Sequence, residues 1–549
     1  MASFTTGSSD SFGLMPYLVA ALSLLIATYF FQYKNNNNNQ KQNKKNIFPN
    51  AIPFPFNLHP LTEILYLVII VKTKGGGIDA YYRNTRKRLG DVFIMGPLFA
   101  AQRPGPVLAI THPDDQAAIM KKEKELELIV NMPDTCTAIH GMENFQHLSS
   151  GQKHSELRKI YSSILSPRSL EDFTLVIIDH FNSLWEGLEL ESEASSISSG
   201  SGKGQEVKLT NAIRECQLKL MCKILYGLEA ETDEEKRVLA EFAKDFELTE
   251  KALFAPGKKS KMFIDGLKAR ERISTVINGR FDAIFDARLD KRGDVAVAGA
   301  GEENLQRVGS AMEQIADALI DSGCTGKDGP YDDRVSYYTA RENLYLLLEA
   351  SHETTMYITS SLMYLINHPD NYDTLQRVRK EASTLSPTYD GLKNFTLAEA
   401  CAQETMRLAP IIGSVPYYIS EGKSINFNKK TLAGPATIMF VSSHWYSDPD
   451  VFQEADLFIP QRWLAAADTG NGDVAVSAFA KKAFRPFGSG RHICLGSPLA
   501  KLVIKANLYC FVSKANRSIQ FDAKKVKIVD GIFPMKKVAA DFPGMVVCE

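Results

Sequence analysis

The stretch "FRPFGSGRHICLGSPLA", residues 484–500, sets one cysteine, Cys494, in a turn punctuated by Gly488, Gly490 and Gly496. Those glycines let the backbone bend tightly and let a flat ligand approach it. Helical periodicity resumes at Leu499 in "LAKLVIKANLYCFV", which puts the thiol just ahead of a helix N-terminus. Backbone N–H groups and the helix dipole favour a thiolate there. The cysteine is thus presented to a ligand. The same residues also fit a small buried hydrophobe in a glycine-rich loop, the common fate of a cysteine, so other motifs have to decide.

A thiolate held in this way is a good axial ligand for haem iron. The spacing resembles the haem-binding signature of the cytochrome P-450 family, Phe-x-x-Gly-x-Arg-x-Cys-x-Gly. Phe487, Gly490, Cys494 and Gly496 match it, and His492 stands at the usual arginine. An imidazole there can also hydrogen-bond a haem propionate.

Size and charge remove other classes. The 549 residues carry a formal net charge of -1, which offers no electrostatic footprint for nucleic acid. The 8 cysteines are scattered without close pairs or metal-ligand spacing, suggesting neither a disulfide framework nor a zinc site. No internal repeat is apparent.

Residues 14–33, "LMPYLVAALSLLIATYFFQY", carry no charge, and a helix of that length spans about 30 Å, the thickness of a bilayer's hydrocarbon core. The expectation is a single transmembrane anchor, with residues 1–13 lumenal. The following "KNNNNNQKQNKKN" holds four lysines and no acid, which places the body on the cytosolic side. Residues 34–60 read as a polar tether and a proline-rich hinge, and 61–549 as the catalytic domain. "LTEILYLVIIVK" is too short to span and is read as dipping into the interface.

Residues 77–89 have a helical pattern, and "DVFIMGPL" and "PVLAITH" read as paired strands. Helical periodicity dominates after Pro113. Two soft stretches, 190–205 and 293–304, read from their Ser, Gly, Ala and Glu content as surface loop insertions. The resemblance implies a mainly α chain with small β-sheets in the cytochrome P-450 fold, a triangular helical body around the haem.

Three further constellations carry chemistry. In "GQKHSELRKIYSSIL", His154 and Arg158 lie four apart on one helix face, fit either to clamp a carboxylate or to sit on a solvated basic helix. The resemblance implies the first, with a haem propionate as the carboxylate. "LYLLLEASHETTMYITSSLMYLI" is a long apolar helix with a polar knot, costly unless it is satisfied. Ala350, Glu353, Thr354 and Thr355 match the family's distal-helix pattern, and Ser351 replaces its glycine. In that resemblance Thr354 holds oxygen and a water while Glu353 links them to a solvent proton source. Glu349 stands at a usually apolar position. Glu404 and Arg407 form an i, i+3 pair, and "DLFIPQRWL" supplies Arg462. The resemblance implies a buried charged brace, structural and not catalytic. Val503 and Tyr417 depart from the pattern at a usual acid and a usual propionate-binding arginine.

The resemblance runs from about Pro49 to the C-terminus. "LFAPGKKSKMFIDGLKARERI", residues 253–273, is similar to a stretch shared by sterol-, retinoid- and terpenoid-oxidising members. It implies haem b (iron protoporphyrin IX), with Cys494 as iron ligand and Ala350, Phe487 and Gly488 against the cofactor. It also implies an endoplasmic reticulum membrane location and hydroxylation of a lipophilic substrate by O2. The chain contains no flavin or dinucleotide module, so electrons would come from an NADPH-dependent reductase. The pocket is expected from residues 131–146, 246–254, 412–415 and 531–533 and the distal helix. Two alternatives stay open: an isomerase or dehydratase acting on lipid hydroperoxides, and a non-enzymatic haem-binding protein.

Overall fold

The computed structural model describes residues 77–548 apart from 96–104, 142, 200–205, 254, 299–308, 328–334, 428–429, 465–475, 525, 527, 531–535 and 539–541. The expected membrane span, tether and hinge lie outside the described residues, as do Phe254 and 531–533 of the expected pocket. No described helix is long and apolar enough to cross a membrane.

The helices that build the site are α1 (Gly77–Leu89), α2 (Pro113–Met120), α3 (Glu123–Leu126), α4 (Asp134–His140), α5 (Gln152–Ser162) and α6 (Pro167–Ser199). They continue with α7 (Leu209–Tyr226), α8 (Asp233–Leu253), α9 (Lys261–Ala298), α10 (Tyr337–Ile366), α11 (Thr396–Leu408) and α12 (Ser497–Val512). Helix α10 is the central rod, 30 residues long and so roughly 45 Å from end to end. Ser336 starts it by accepting a hydrogen bond from the Thr339 N–H, which satisfies a donor the first turn leaves unpaired.

Helix α10 packs on α7, α11 and α12, and α12 packs on α6. In α12, Leu502, Val503, Ile504, Ala506 and Leu508 are all buried, so the helix is apolar around most of its circumference. Val503, at 0 % exposure, has no water to solvate an acid, which explains an apolar residue there. Trp185 of α6 sits edge-on to Phe511, 4.9 Å between ring centres, and donates its indole N–H to Asn507 over 3.1 Å. Removing that ring would cost about 3–5 kcal/mol in lost burial and cavity.

Strands β1 (Val92–Met95), β2 (Val107–Ile110), β3 (Ile129–Val130), β5 (Ser414–Ile419) and β8 (Ala436–Val441) form one sheet in the order β1-β2-β8-β5-β3; β4 (Val207–Lys208), β6 (Ser424–Phe427) and β7 (Lys430–Ala433) lie outside it. The β1/β2 hairpin is antiparallel with Val92 opposite Ile110, and β2 runs parallel to β8 with Val107 opposite Thr437. The strand pair read within residues 91–112 is therefore extended by strands more than three hundred residues later. All six residues of β8 are buried, as a central strand requires.

Both expected loop insertions need correction. Helix α6 continues through Ser199 and α9 through Ala298, so the first part of each soft stretch is helical. Once a long helix is nucleated, adding Ser, Glu or Ala residues costs only tenths of a kcal/mol each, roughly. Composition alone therefore misplaced the helix ends.

Candidate functional site

Cys494 lies two residues before the Gly496 N-cap of α12, whose first turn carries Pro498 where no N–H is needed. Its own N–H donates to the Phe487 carbonyl over 2.9 Å, closing the turn. Gly488 and Gly490 take φ of 76° and 75°, a region that side chains disfavour. At Gly490 a Cβ would also meet Met120 Cε at 2.2 Å and Glu123 Oε2 at 2.4 Å, so a side chain there would displace the tips of both and disturb the loop's contact with α2 and α3.

The Cys494 thiol is exposed, yet burial pushes its pKa up, against the pull of the Gly496 and Ser497 N–H groups and the Arg158 charge. An exposed sulfur that is nevertheless desolvated lies in a recess. Ala350 gives the same sign from α10: it is exposed in mid-helix while Leu348 beside it is fully buried. Ile412, just before β5, is 53 % exposed.

Beside the thiol, α5 supplies His154 and Arg158. His154 is 1 % exposed, and neither ring nitrogen has a hydrogen-bond partner among the described residues. Burial, helped by the positive fields of His492 and Arg158, pushes it down to about 3, so the ring is neutral at pH 7. Arg158 donates to the Ile493 carbonyl over 2.8 Å; burial lowers its pKa, against the Cys494 and Glu123 charges.

His492 is differently employed. Its Nδ1 is 2.5 Å from the Glu123 carboxylate, and its Nε2 is 3.2 Å from the Leu148 carbonyl. Glu123 also accepts from the Arg491 N–H over 2.6 Å and the Ser150 hydroxyl over 2.8 Å. Burial raises the Glu123 carboxyl, but those hydrogen bonds outweigh it and hold it below its ordinary value. Tyr417 on β5 is buried with its ring 6.1 Å from His492.

On α10 the Thr354 hydroxyl donates to the Ala350 carbonyl over 2.7 Å, and Ser351 donates to Leu348 over 3.2 Å. The helix nevertheless runs unbroken from Tyr337 to Ile366. Glu353 Oε1 lies 3.4 Å from Arg214 Nε of α7 and 3.4 Å from His352 Nδ1. Glu349, unexplained from the sequence, lies 2.9 Å from His140 Nε2 at the end of α4, so a buried imidazole faces this carboxylate. Sequence reasoning missed Glu123, Arg214 and His140. Each is brought in by a separate helix, and no motif marks it.

Glu404 is fully buried. Its carboxylate accepts from Arg407 Nη2 at 2.8 Å and Nε at 2.9 Å, from Arg462 Nε at 3.1 Å and from the Trp463 indole at 2.8 Å. Arg407 extends the brace to the carbonyls of Tyr446, Ala455 and Leu457. The structure therefore brings Glu404, Arg407 and Arg462 into one cluster.

A recessed thiol ahead of a helix, with a guanidinium beside it and a buried imidazole lacking a partner, fits a flat metal-bearing cofactor with anionic edges. Haem matches that donor set: sulfur for the iron, and His154 and Arg158 for carboxylates. The cytochrome P450 family model matches residues 58–535. The chain belongs to the cytochrome P450 family, and with it comes a haem-iron cofactor.

Among its relatives, the C-22 sterol desaturase erg5 of Aspergillus fumigatus is 28% identical over 36% of this chain and 37% of its own length. A lanosterol 14-alpha demethylase of Cunninghamella elegans is 27% identical over 38% and 42%. The match thus spans well under half the length of either. Human cytochrome P450 3A7 is 22% identical over 73% of this chain and 75% of its own. The fold is similar to that of a retinoic-acid-bound cyanobacterial CYP120A1, with TM-score 0.63 and 17% identity over 88% of this chain and 96% of that one.

Proposed function

We propose that this protein is a membrane-anchored haem-thiolate monooxygenase that hydroxylates a lipophilic substrate of sterol, terpenoid, retinoid or fatty-acid type. O2 and electrons from a separate NADPH-dependent reductase drive it, at the endoplasmic reticulum membrane with the catalytic domain in the cytosol. The observation that carries the reading is the polar knot on α10: Thr354 and Glu353 stand in an apolar helix beside the exposed Ala350. A protein that only held haem would have no use for a proton path there.

Bound haem b would supply the iron at which oxygen is activated. Cys494 would ligate that iron, with Phe487, Gly488, Gly490 and Gly496 shaping the loop around the sulfur. His154 and Arg158 would hold the propionates. Ala350, lacking a bulky side chain, leaves space on the distal side. Thr354 already donates its proton to Ala350, so its oxygen offers lone pairs to a water or a hydrogen-bonding ligand. Glu353, charge-paired with Arg214, is positioned to move a proton to that water.

The relatives named for sterols, together with residues 253–273, favour an oily polycyclic or isoprenoid substrate. The test supplies purified protein with NADPH, a reductase and candidate sterols, terpenoids, retinoids and fatty acids. Product that needs both reductase and oxygen supports the reading. Turnover of a lipid hydroperoxide with neither present would replace it by the isomerase alternative.

A further inference from the structure

Glu349 is the acid of α10 that neither the proton path nor the charged brace employs. It stands one residue before Ala350, which is exposed in mid-helix, and its own side chain keeps 14% exposure. Its Oε2 lies 2.9 Å from Nε2 of His140, the last residue of α4. Among the described residues no other hydrogen bond or ion pair reaches this carboxylate, which leaves Oε1 open. His140 is 3% exposed, and neither of its ring nitrogens completes an aligned hydrogen bond among the described residues. A neutral imidazole carries one N–H and one lone pair. Burying it with that capacity unmet is costly, so the pair calls for a third partner.

The pair is not needed to hold α4 in place. Thr135 Oγ1 and Cys136 Sγ both donate to the Leu253 carbonyl at the end of α8, over 2.7 Å and 3.2 Å. Arg270 Nε of α9 donates to the Ile139 carbonyl over 3.1 Å. With the helix tied down through those neighbours, an apolar contact at its last residue would serve packing as well as an acid facing an imidazole does.

We propose that Glu349 and His140 anchor the hydroxyl group of a lipophilic alcohol, with Glu349 as the specificity-determining residue and His140 orienting its carboxylate. A hydroxyl can donate to the carboxylate and accept from the imidazole N–H at the same time. An ether can only accept, and so leaves Glu349 unmet. A carboxylic acid arrives ionised and meets Glu349 as a like charge. An ammonium group could pair with Glu349 but has no lone pair for the imidazole N–H.

Both residues lie in segments expected to line the pocket, 131–146 and the distal helix. The proposal rests on the proposed function and narrows its substrate class. Among sterols, terpenoids, retinoids and fatty acids, it selects members that carry a free alcohol and disfavours those that carry a carboxylate.

The experiment titrates the purified full chain with cholesterol, retinol and farnesol, with the methyl ether of each, and with retinoic and farnesoic acids, reading the haem absorbance shift at neutral pH. In wild type at least one alcohol should bind about tenfold or more tighter than its ether, and the acids about tenfold or more weaker than their alcohols, the low side of a hydrogen bond to a charged group. Glu349→Gln keeps the shape and removes the charge, so the acids should gain affinity and both ratios should shrink to about threefold or less. A latch that merely joined α4 to α10 would shift all ligands of one skeleton alike and leave the ratios unmoved.

Alcohols no tighter than their ethers in every skeleton, absence of binding included, overturn the proposal and assign the third partner to a water. Ratios that persist in Glu349→Gln overturn it as well. Should that variant not fold, the wild-type order of alcohol, ether and acid decides alone. A preference for alcohols with no reductase- and oxygen-dependent product would leave the anchor standing and remove the proposed activity; product without that preference removes only the anchor.

Discussion

Replacing Glu404 by alanine is the sharpest test of the charged brace. The carboxylate accepts from both guanidinium nitrogens of Arg407 that face it, from Arg462, from the Trp463 indole and from the Ile459 N–H. Arg407 and Arg462 are 1 % and 3 % exposed, so neither can turn to water when the partner goes. Carbonyls of Tyr446, Ala455 and Leu457 keep part of Arg407 satisfied, and that of Gln453 part of Arg462, but two positive charges would remain buried without a counter-charge. Breaking a buried pair from one side costs about 3–5 kcal/mol, a large part of the ~5–15 kcal/mol that holds a domain folded.

A control lies on α7. Glu215 pairs with Lys219 at 2.8 Å, but the side chains are 66% and 47% exposed, so Glu215→Ala should cost only about 0–1 kcal/mol. The assay is urea unfolding of the purified chain followed by circular dichroism, with protease susceptibility as a second measure for variants that accumulate poorly. Glu404→Gln should not rescue, because its amide points a donor at donors. An unfolding free energy for Glu404→Ala within about 1 kcal/mol of Glu215→Ala would refute the reasoning.

Other outcomes follow from the same geometry. Cys494→Ala should abolish the long-wavelength absorbance band of the reduced, carbon-monoxide-bound haem-thiolate; an unaltered band would remove the ligand assignment. Thr354→Ala should retain haem but release more peroxide per electron consumed, and tight coupling in that variant would end the role of its hydroxyl. Glu189 of α6 is bound by Arg517 and Lys514. Burial raises its carboxyl, but those hydrogen bonds prevail and hold it below the ordinary value. The group's stabilisation is therefore complete above the unfolded carboxyl value, about 4.3, and is lost as pH falls through the lower folded value. The stability gap between wild type and Glu189→Gln should shrink in that acid range; a gap independent of pH would show that the ion pair contributes nothing.

Legibility in the sequence tracked locality. The Cys494 turn, the α10 knot and the Glu404–Arg407 pair each lie within one short segment, where glycine chemistry or helical spacing singled them out and the family resemblance assigned their roles. The partners that give these residues their working environment come from elsewhere. Arg214 meets Glu353 only because α7 packs beside α10, and His140 meets Glu349 only through the end of α4. No periodicity encodes such meetings. Helix ends were misread for a related reason: the serine-rich tail of α6 resembles a loop in composition, yet Ser192 is buried within the helix and Glu189, three residues before it, is tied to Arg517.

The two departures on the Cys494 side, His492 and Tyr417, looked independent in the sequence and are one feature in the structure. Tyr417 is buried and packs its ring toward His492, while His492 turns both nitrogens to Glu123 and the Leu148 carbonyl. An arginine at 417 would put another positive charge near the Glu123–His492 pair; the buried tyrosine leaves Glu123 with His492 as its partner. On the proposed function, His492 is then a strut that ties the cysteine loop to α3, and the propionates fall to His154 and Arg158. His154, buried and without a hydrogen-bond partner of its own, is the residue whose unmet capacity most directly calls for that ligand.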